Sequence, residues 1–395
     1  MEKVLKRSKE IEEKLLATRR KLHTIPEIGS SLPKTKAYVC KRLEELGIPY
    51  RLNQGDDSII AEIKGATAGK TVAFRADMDA LHVEEKTNVP FKSEIEGQMH
   101  GCGHDAHTAI LLAAAEVLLF YQNELKGNVR LIFQAGEEIA AGAKQVIAEG
   151  GIDGVDAIFA LHVGNLAGDD LETGKLVVLD GPASAGKDKF TITVHGKGTH
   201  SAFPEKGVDS ILIAARIVNA CEELLAREVS AGTAVVLSFG SLQAGIDHNS
   251  IPEKAVIKGS MRCQDEQVRD FLGERLKTVC EKIAEAFRAT CTVELNRGSS
   301  TVINDCVLAE LAREAIRKSL GKESVTDRVS AKLMAADDFT NYGKIIPAVY
   351  FFLHTNNKEK GIVQANHNPY FDVDEEVLWK GVASYVSIAL EYLNN

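Results

Sequence analysis

At 395 residues the chain exceeds the size at which one hydrophobic core usually stops growing, and two domains are expected. Its composition, 45% hydrophobic and 26% charged, is that of an ordinary globular protein and excludes the disordered and fibrous classes. The formal net charge of −9 argues against nucleic-acid or anionic-membrane binding, because the basic residues near the amino end (Lys3, Lys6, Arg7, Arg19, Arg20, Lys21) are interleaved with acids and read as a solvated helix face.

In chain order, Glu2 to Leu22 places Val4, Ile11, Leu15, Leu16 and Leu22 near the helical repeat and predicts an opening amphipathic helix. The same stretch is charged throughout and lacks the apolar centre of a signal peptide, and the longest apolar run, Ala109 to Phe120, is interrupted by Glu116 and too short to span a bilayer. A cytoplasmic protein is expected. Thr35 to Leu46 reads as a second helix, stopped by Gly47. Ile59 to Ile63 and Lys70 to Arg75 read as a strand pair that runs into Arg75-Ala76-Asp77-Met78-Asp79. An apolar strand ending in carboxylates is expected where an open α/β sheet presents its carboxyl edge to a ligand, which makes Asp77 and Asp79 site candidates.

The stretch Met99-His100-Gly101-Cys102-Gly103-His104-Asp105-Ala106-His107 concentrates imidazole, thiol and carboxylate just before an apolar helix expected over 108–122. Cys sulfur, His nitrogen and carboxylate oxygen together suit a transition metal better than Ca²⁺ or Mg²⁺. Gly101 and Gly103 give the backbone freedom to turn Cys102 and His104 toward one point. His107, three residues beyond His104, reads either as a group that orients a ligand or as a packed core histidine, and His100 as structural.

Strand Val129 to Gln134 leads into Ala135-Gly136-Glu137-Glu138, a helix is expected over 140–149, and strand Val155 to Ala160 delivers Leu161-His162-Val163. Several junctions thus bring ligand-type side chains to one sheet edge. From Gly181 to Gly186 the rhythm changes. Strand Phe190 to Val194, a Gly-rich turn with His200, helix Val208 to Leu225, strands Ala234 to Phe239 and Ala255 to Met261, helix Asp265 to Arg288 and strand Thr290 to Leu295 give a β-α-β-β-α-β order, expected to form an α+β insert with its own four-stranded sheet. The chain then returns through helix Cys306 to Leu320, a loop with Asp337-Asp338-Phe339, strand Ala348 to Leu353, the segment Asn366-His367-Asn368-Pro369 and a final helix from Glu375. The seven Cys form an odd, scattered set and read mostly as buried thiols rather than a disulfide framework.

With these motifs in place the chain resembles the aminoacylase and amidohydrolase branch of the dinuclear-metal exopeptidases, which includes hippurate hydrolase, N-acetyl-diaminopimelate deacetylase and the plant indole-acetyl-amino-acid hydrolases. The resemblance runs through Leu22-His23 with Pro26-Glu27, Phe74 to Leu81, Met99 to Ala109, Phe133 to Glu138, Ala160 to Val163, Gly196 to Pro204, Asn249 to Arg262 and His367 to Phe371. It implies an α/β catalytic domain with a mixed sheet flanked by helices, in segments 1–184 and 301–395, and a lid and dimerisation domain over 185–300. It implies two divalent transition-metal ions (Zn, Mn, Ni or Co) held by Cys102, His104, Glu138, His162 and His367, with Glu137 as general base and Asp77 orienting a ligand histidine. His200 is implied to reach a partner subunit's site and stabilise the oxyanion, and Asn249 and Arg262 to hold the substrate carboxylate.

The activity implied is hydrolysis of N-acyl amino acids to a carboxylic acid and a free amino acid by water that is metal-bound and activated by Glu137, in a homodimer or tetramer. A dipeptidase or carboxypeptidase on the same fold is the alternative. His82, Thr199, Ser201, Asp337 and His354 depart from the usual pattern of the branch, and none of them removes a ligand.

Overall fold

The computed structural model describes residues 2–166, 168 and 170–394. The chain divides into two compact units, one of residues 1–183, 302–333 and 337–395, the other of residues 184–301 with Met334–Ala336. The short return of Met334–Ala336 to the second unit differs from the contiguous insert expected. No helix among the described residues is long and apolar enough to cross a membrane.

The first unit is built on an eight-stranded mixed sheet. Its strands in chain order are β1 (Tyr50–Leu52), β2 (Ile59–Lys64), β3 (Thr67–Asp77), β4 (Lys126–Gln134), β5 (Ala157–Gly164), β6 (Leu176–Val177), β7 (Val325–Thr326) and β8 (Ala348–His354). Their spatial order is β1-β2-β4-β3-β5-β8-β6-β7. The expected pairing of residues 59–63 with 70–75 does not occur, because β4 lies between them, antiparallel to β2 and parallel to β3. Two adjacent apolar runs look like a hairpin in sequence, but β3 is buried on both faces from Thr71 to Asp77 and takes the central place that such a run demands.

Strands β4, β3, β5 and β8 are parallel neighbours, so their carboxyl ends share one edge. β3 and β5 pair only through Val72–Arg75 and Ala157–Ala160, and then part. The helix expected over 108–122 starts earlier, at His104, and runs to Phe120. It is apolar on nearly every side and buried, as expected for a helix in the middle of a core. Gly103 caps it at φ 86°, where a Cβ would lie 2.5 Å from Val163 Cγ2, so both the left-handed backbone and the close approach to β5 require glycine.

The opening helix is interrupted at Ile11 into Glu2–Glu10 and Glu12–His23. Its second half is locked by a buried cluster: Arg19 Nε donates to Asp105 Oδ2 at 2.9 Å, and His23 Nδ1 lies 2.8 Å from the same oxygen. Arg19 also binds Asp372 and Glu375, tying both ends of the chain to the helix that begins with His104.

The second unit carries a four-stranded antiparallel sheet in the order 235–244, 254–263, 186–195, 290–297, as its β-α-β-β-α-β sequence predicts. Helices Ser210–Glu228 and Glu266–Ala286 are capped by Asp209 and Asp265, each accepting two backbone N–H groups. They share a core of their own with the sheet, including Phe190, Ile192, Ile217, Ile257 and Leu276.

Candidate active site

At the shared carboxyl edge, the turn before His104 presents Cys102, whose Sγ lies 3.5 Å from Nε2 of His162 on β5. The donor atoms of Cys102, His104 and His162 all lie within 4.8 Å of one another, and so do those of Cys102, Glu138 and His367. Two overlapping donor sets therefore share one thiol. His367 arrives on a distant segment fastened here by its own N–H, which donates to Gly101 O at 2.7 Å, and it adopts φ 70°, a conformation costly for a residue with a Cβ. Asn366 reinforces the junction by donating to Cys102 O and Val163 O, both at 3.2 Å.

These residues fit a cation. Both ring nitrogens of His104 and Oε1 of Glu138 are buried without a hydrogen-bond partner among the described residues. The nearest carboxylate oxygens to the His104 ring, Asp79 Oδ1 at 3.5 Å and Asp77 Oδ2 at 3.6 Å, stand beyond hydrogen-bond range. Burial would lower the His104 imidazole, but Asp77 and Asp79 outweigh it and hold it well above its ordinary range, so the site draws positive charge. Burial, with Glu138, pushes the Cys102 thiol up to about 12. Burial, with the neighbouring His107, holds His162 well below its usual value, hence neutral. Its Nδ1 donates to Val163 O at 2.8 Å, which leaves the Nε2 lone pair free on the Cys102 side.

Asp77 lies 2.5 Å from His107 Nδ1 through Oδ1 and accepts from Arg75 Nη1 at 2.6 Å through Oδ2. Its oriented partner is thus His107, with His104 at 3.6 Å. Both His107 nitrogens are engaged, since Val163 N–H donates to Nε2 at 2.8 Å, and neither is free for a metal. His100 is buried with both nitrogens unpartnered among the described residues, and burial brings it down to about 3.

Asp79 has a role that its place at a strand end did not disclose. Its two oxygens accept the N–H groups of Glu137 and Glu138, each at 3.1 Å, and so fix the turn carrying both carboxylates. The two acids experience opposite surroundings. For Glu138 burial acts upward, but His367 and His104 hold it below its ordinary value. Glu137 is raised well above it by burial and by the like charges of Asp337, Glu138 and Asp338. Sequence reasoning missed the group behind Glu137: Arg75 Nη2 contacts Asp338 at 3.0 Å and Asp337 at 3.2 Å, and Gln134 Nε2 donates to Asp338 Oδ1 at 2.8 Å.

In the second unit, His200 and Asn249 are exposed and meet on a ribbon of Thr199–His200 with Ser250–Ile251, where Ser201 N donates to Asn249 O at 2.9 Å. Ala202 N–H donates to His200 Nδ1 at 3.0 Å, which puts the ring proton on the exposed Nε2. Arg262 donates through Nη1 to Met334 O at 2.7 Å and has no carboxylate partner among the described residues.

The profile of the peptidase family M20/M25/M40 matches residues 73–391. The chain is 35% identical over 399 residues to thermostable carboxypeptidase 1 of Saccharolobus solfataricus, a match covering 100% of this chain and 99% of that protein. It is 37% identical over 375 residues to the N-acetyl-L-cysteine deacetylase of Bacillus subtilis, covering 95% of this chain and 86% of that protein. The solved structure of the Bacillus subtilis YXEP protein, described as a dinuclear metal binding peptidase from the M20 family, matches with a TM-score of 0.84 at 33% identity, covering 98% of this chain and 99% of that one. The edge of parallel strands, the buried donor set and relatives matched over nearly their full length agree, and the chain belongs to the peptidase family M20/M25/M40.

Proposed function

We propose that this hydrolase cleaves the amide bond of an N-acyl amino acid, with two divalent transition-metal ions held by Cys102, His104, Glu138, His162 and His367 and with Glu137 as the proton-transfer group. The observation that carries the reading is the divided turn of Glu137 and Glu138, whose backbone N–H groups are held by Asp79 and whose neighbouring carboxylates are pushed to opposite affinities for a proton. Among Zn, Mn, Co and Ni, thiolate and imidazole donors favour Zn and Ni, whereas the carboxylate is the donor that suits Mn. Such ions supply Lewis-acid polarisation of the scissile carbonyl and acidify water in the cleft.

Glu137 takes the proton from the attacking water and hands it to the departing amine. A carboxylate with raised proton affinity suits both steps. His200, with its proton on Nε2, is the donor we assign to the tetrahedral oxyanion, acting in a partner subunit's site within a homodimer. Arg262, whose guanidinium has no carboxylate partner among the described residues, together with Asn249, is assigned to the free carboxylate of the substrate. The unpaired side of edge strand Val235–Ala244, with Val236 and Leu242 exposed, is compatible with a dimer contact.

The test compares an N-acetyl amino acid with a dipeptide of the same carboxyl-terminal residue. Faster release from the acetylated substrate is expected, in line with the deacetylase relative. Faster cleavage of the dipeptide would move the assignment to the carboxypeptidase relative. Asp79→Asn, which keeps only one acceptor oxygen for the two N–H groups, is expected to lower kcat about 10–100-fold, the usual cost of disturbing a group that supports a metal site. Wild-type kinetics in that variant would show that the Glu137–Glu138 turn holds its shape unaided.

A further inference from the structure

The parting of β3 from β5 leaves the last residues of β5 without a strand on that side among the described residues, since the pairing ends at Arg75 with Ala160. Alternate residues of a strand aim their N–H groups at the same neighbour, so Leu161 and Val163 lose their partners together. A buried backbone donor must be satisfied from elsewhere. Leu161 N–H donates to Tyr385 Oη at 2.7 Å, and Val163 N–H donates to His107 Nε2 at 2.8 Å. His107 thus stands in for the missing strand at the residue next to His162.

From this geometry we infer that His107 is a positioning residue that sets the aim of His162, through the backbone of Val163. Val163 N–H is a donor, so His107 Nε2 accepts and the ring proton sits on Nδ1, where it donates to Asp77 Oδ1. Arg75 holds Asp77 from the other side. At its far end Val163 presents its carbonyl to His162 Nδ1 at 2.8 Å, which fixes the ring and leaves Nε2 directed toward Cys102. The series Arg75, Asp77, His107, Val163, His162 is continuous and buried. The ring centroids of His107 and His162 are 4.5 Å apart with the planes inclined at 69°, so the two rings pack edge to face. The inference rests on the reading of His162 as a metal ligand.

The test titrates Co²⁺ into the chelated full-length protein and follows the affinity and visible absorption of the bound ion, for wild type, His107→Gln and His107→Asn. Gln can place its carbonyl oxygen where Nε2 stood, keeping the Val163 contact and giving up Asp77. Asn is shorter and reaches only Asp77. The expected result is that Gln binds Co²⁺ close to wild type, whereas Asn weakens binding about 10–100-fold and alters the spectrum, with the thermal midpoint of each metal-free variant as the folding control. Wild-type binding by the Asn variant, or equal weakening in both, would overturn the inference. If the Asn variant does not fold, the Gln variant decides alone, because weakening there would show that the Val163 contact is not what matters. Failure of the wild type itself to take up Co²⁺ would instead remove the metal-site reading, and the inference with it.

Discussion

A Glu137→Gln enzyme is expected to keep its metal and lose about 10²–10⁴-fold in kcat, with KM little changed. Gln is nearly isosteric, and its carbonyl oxygen can still accept the Asp338 N–H that Glu137 Oε1 receives at 3.3 Å. Asp79 continues to clamp the backbone of the turn, and Glu138 keeps its place between His104 and His367. What disappears is a group able to hold a proton between water and the leaving amine. Metal content and steady-state rates measured on the same preparation separate this from a damaged site. Near wild-type hydrolysis by metal-loaded Glu137→Gln would remove Glu137 from the chemistry.

Replacing Arg75 by Met is expected to cost about 3–5 kcal/mol of unfolding free energy, the usual result of deleting one member of a buried ion cluster. Against a typical total of about 5–15 kcal/mol, that is a large share. The guanidinium is fully enclosed and contacts Asp77, Gln134, Asp337 and Asp338. Burial, opposed by Arg75, already brings Asp338 up to about 7, and Asp77 is held well below its ordinary range by Arg75, His104 and His107 against the pull of burial. Without Arg75 both carboxylates should bind protons more tightly in the folded variant than they do in the folded wild type, and Asp338, already raised, the more so. A group raised in this way favours folding at low pH and loses that contribution as pH rises, so the deficit should be widest in alkaline solution and narrow toward acid. The chain's single tryptophan, Trp379, sits on a helix of the first unit and reports its urea unfolding by fluorescence. An unchanged midpoint for Arg75→Met would show that these carboxylates are not compensated by Arg75.

Most of the donor set was legible in the sequence as ligand-type side chains near the ends of apolar strands or helices, whereas His367, in a polar turn, entered only through the family resemblance. Cys102 and His104, Glu137 and Glu138, and His162 share that signature, and the structure brings them together. The strand and helix order of the second unit was legible from period, but the return of Met334–Ala336 to it was not. What was not legible depends on pairing at long range. Nothing near β3 says that β4 will enter between it and β2, since that choice follows from which runs can be buried on both faces. Arg75 read as the end of a strand, yet its partners Asp337 and Asp338 lie far along the chain. His107 stayed ambiguous because its role depends on where β3 and β5 separate, which no local pattern encodes. Asp79 was visible as a strand-end acid, but its acceptance of two N–H groups from a turn elsewhere in the sequence could not be seen.

Whether bound metal ions drive amide hydrolysis here is decided by amino-acid release from a panel of N-acyl amino acids, measured on chelated protein before and after adding Zn²⁺, Mn²⁺, Co²⁺ or Ni²⁺. The metal-free protein should be silent, with release of one acyl class restored on adding at least one of these ions. Release that survives chelation, or silence across the panel despite stoichiometric metal binding, would contradict it.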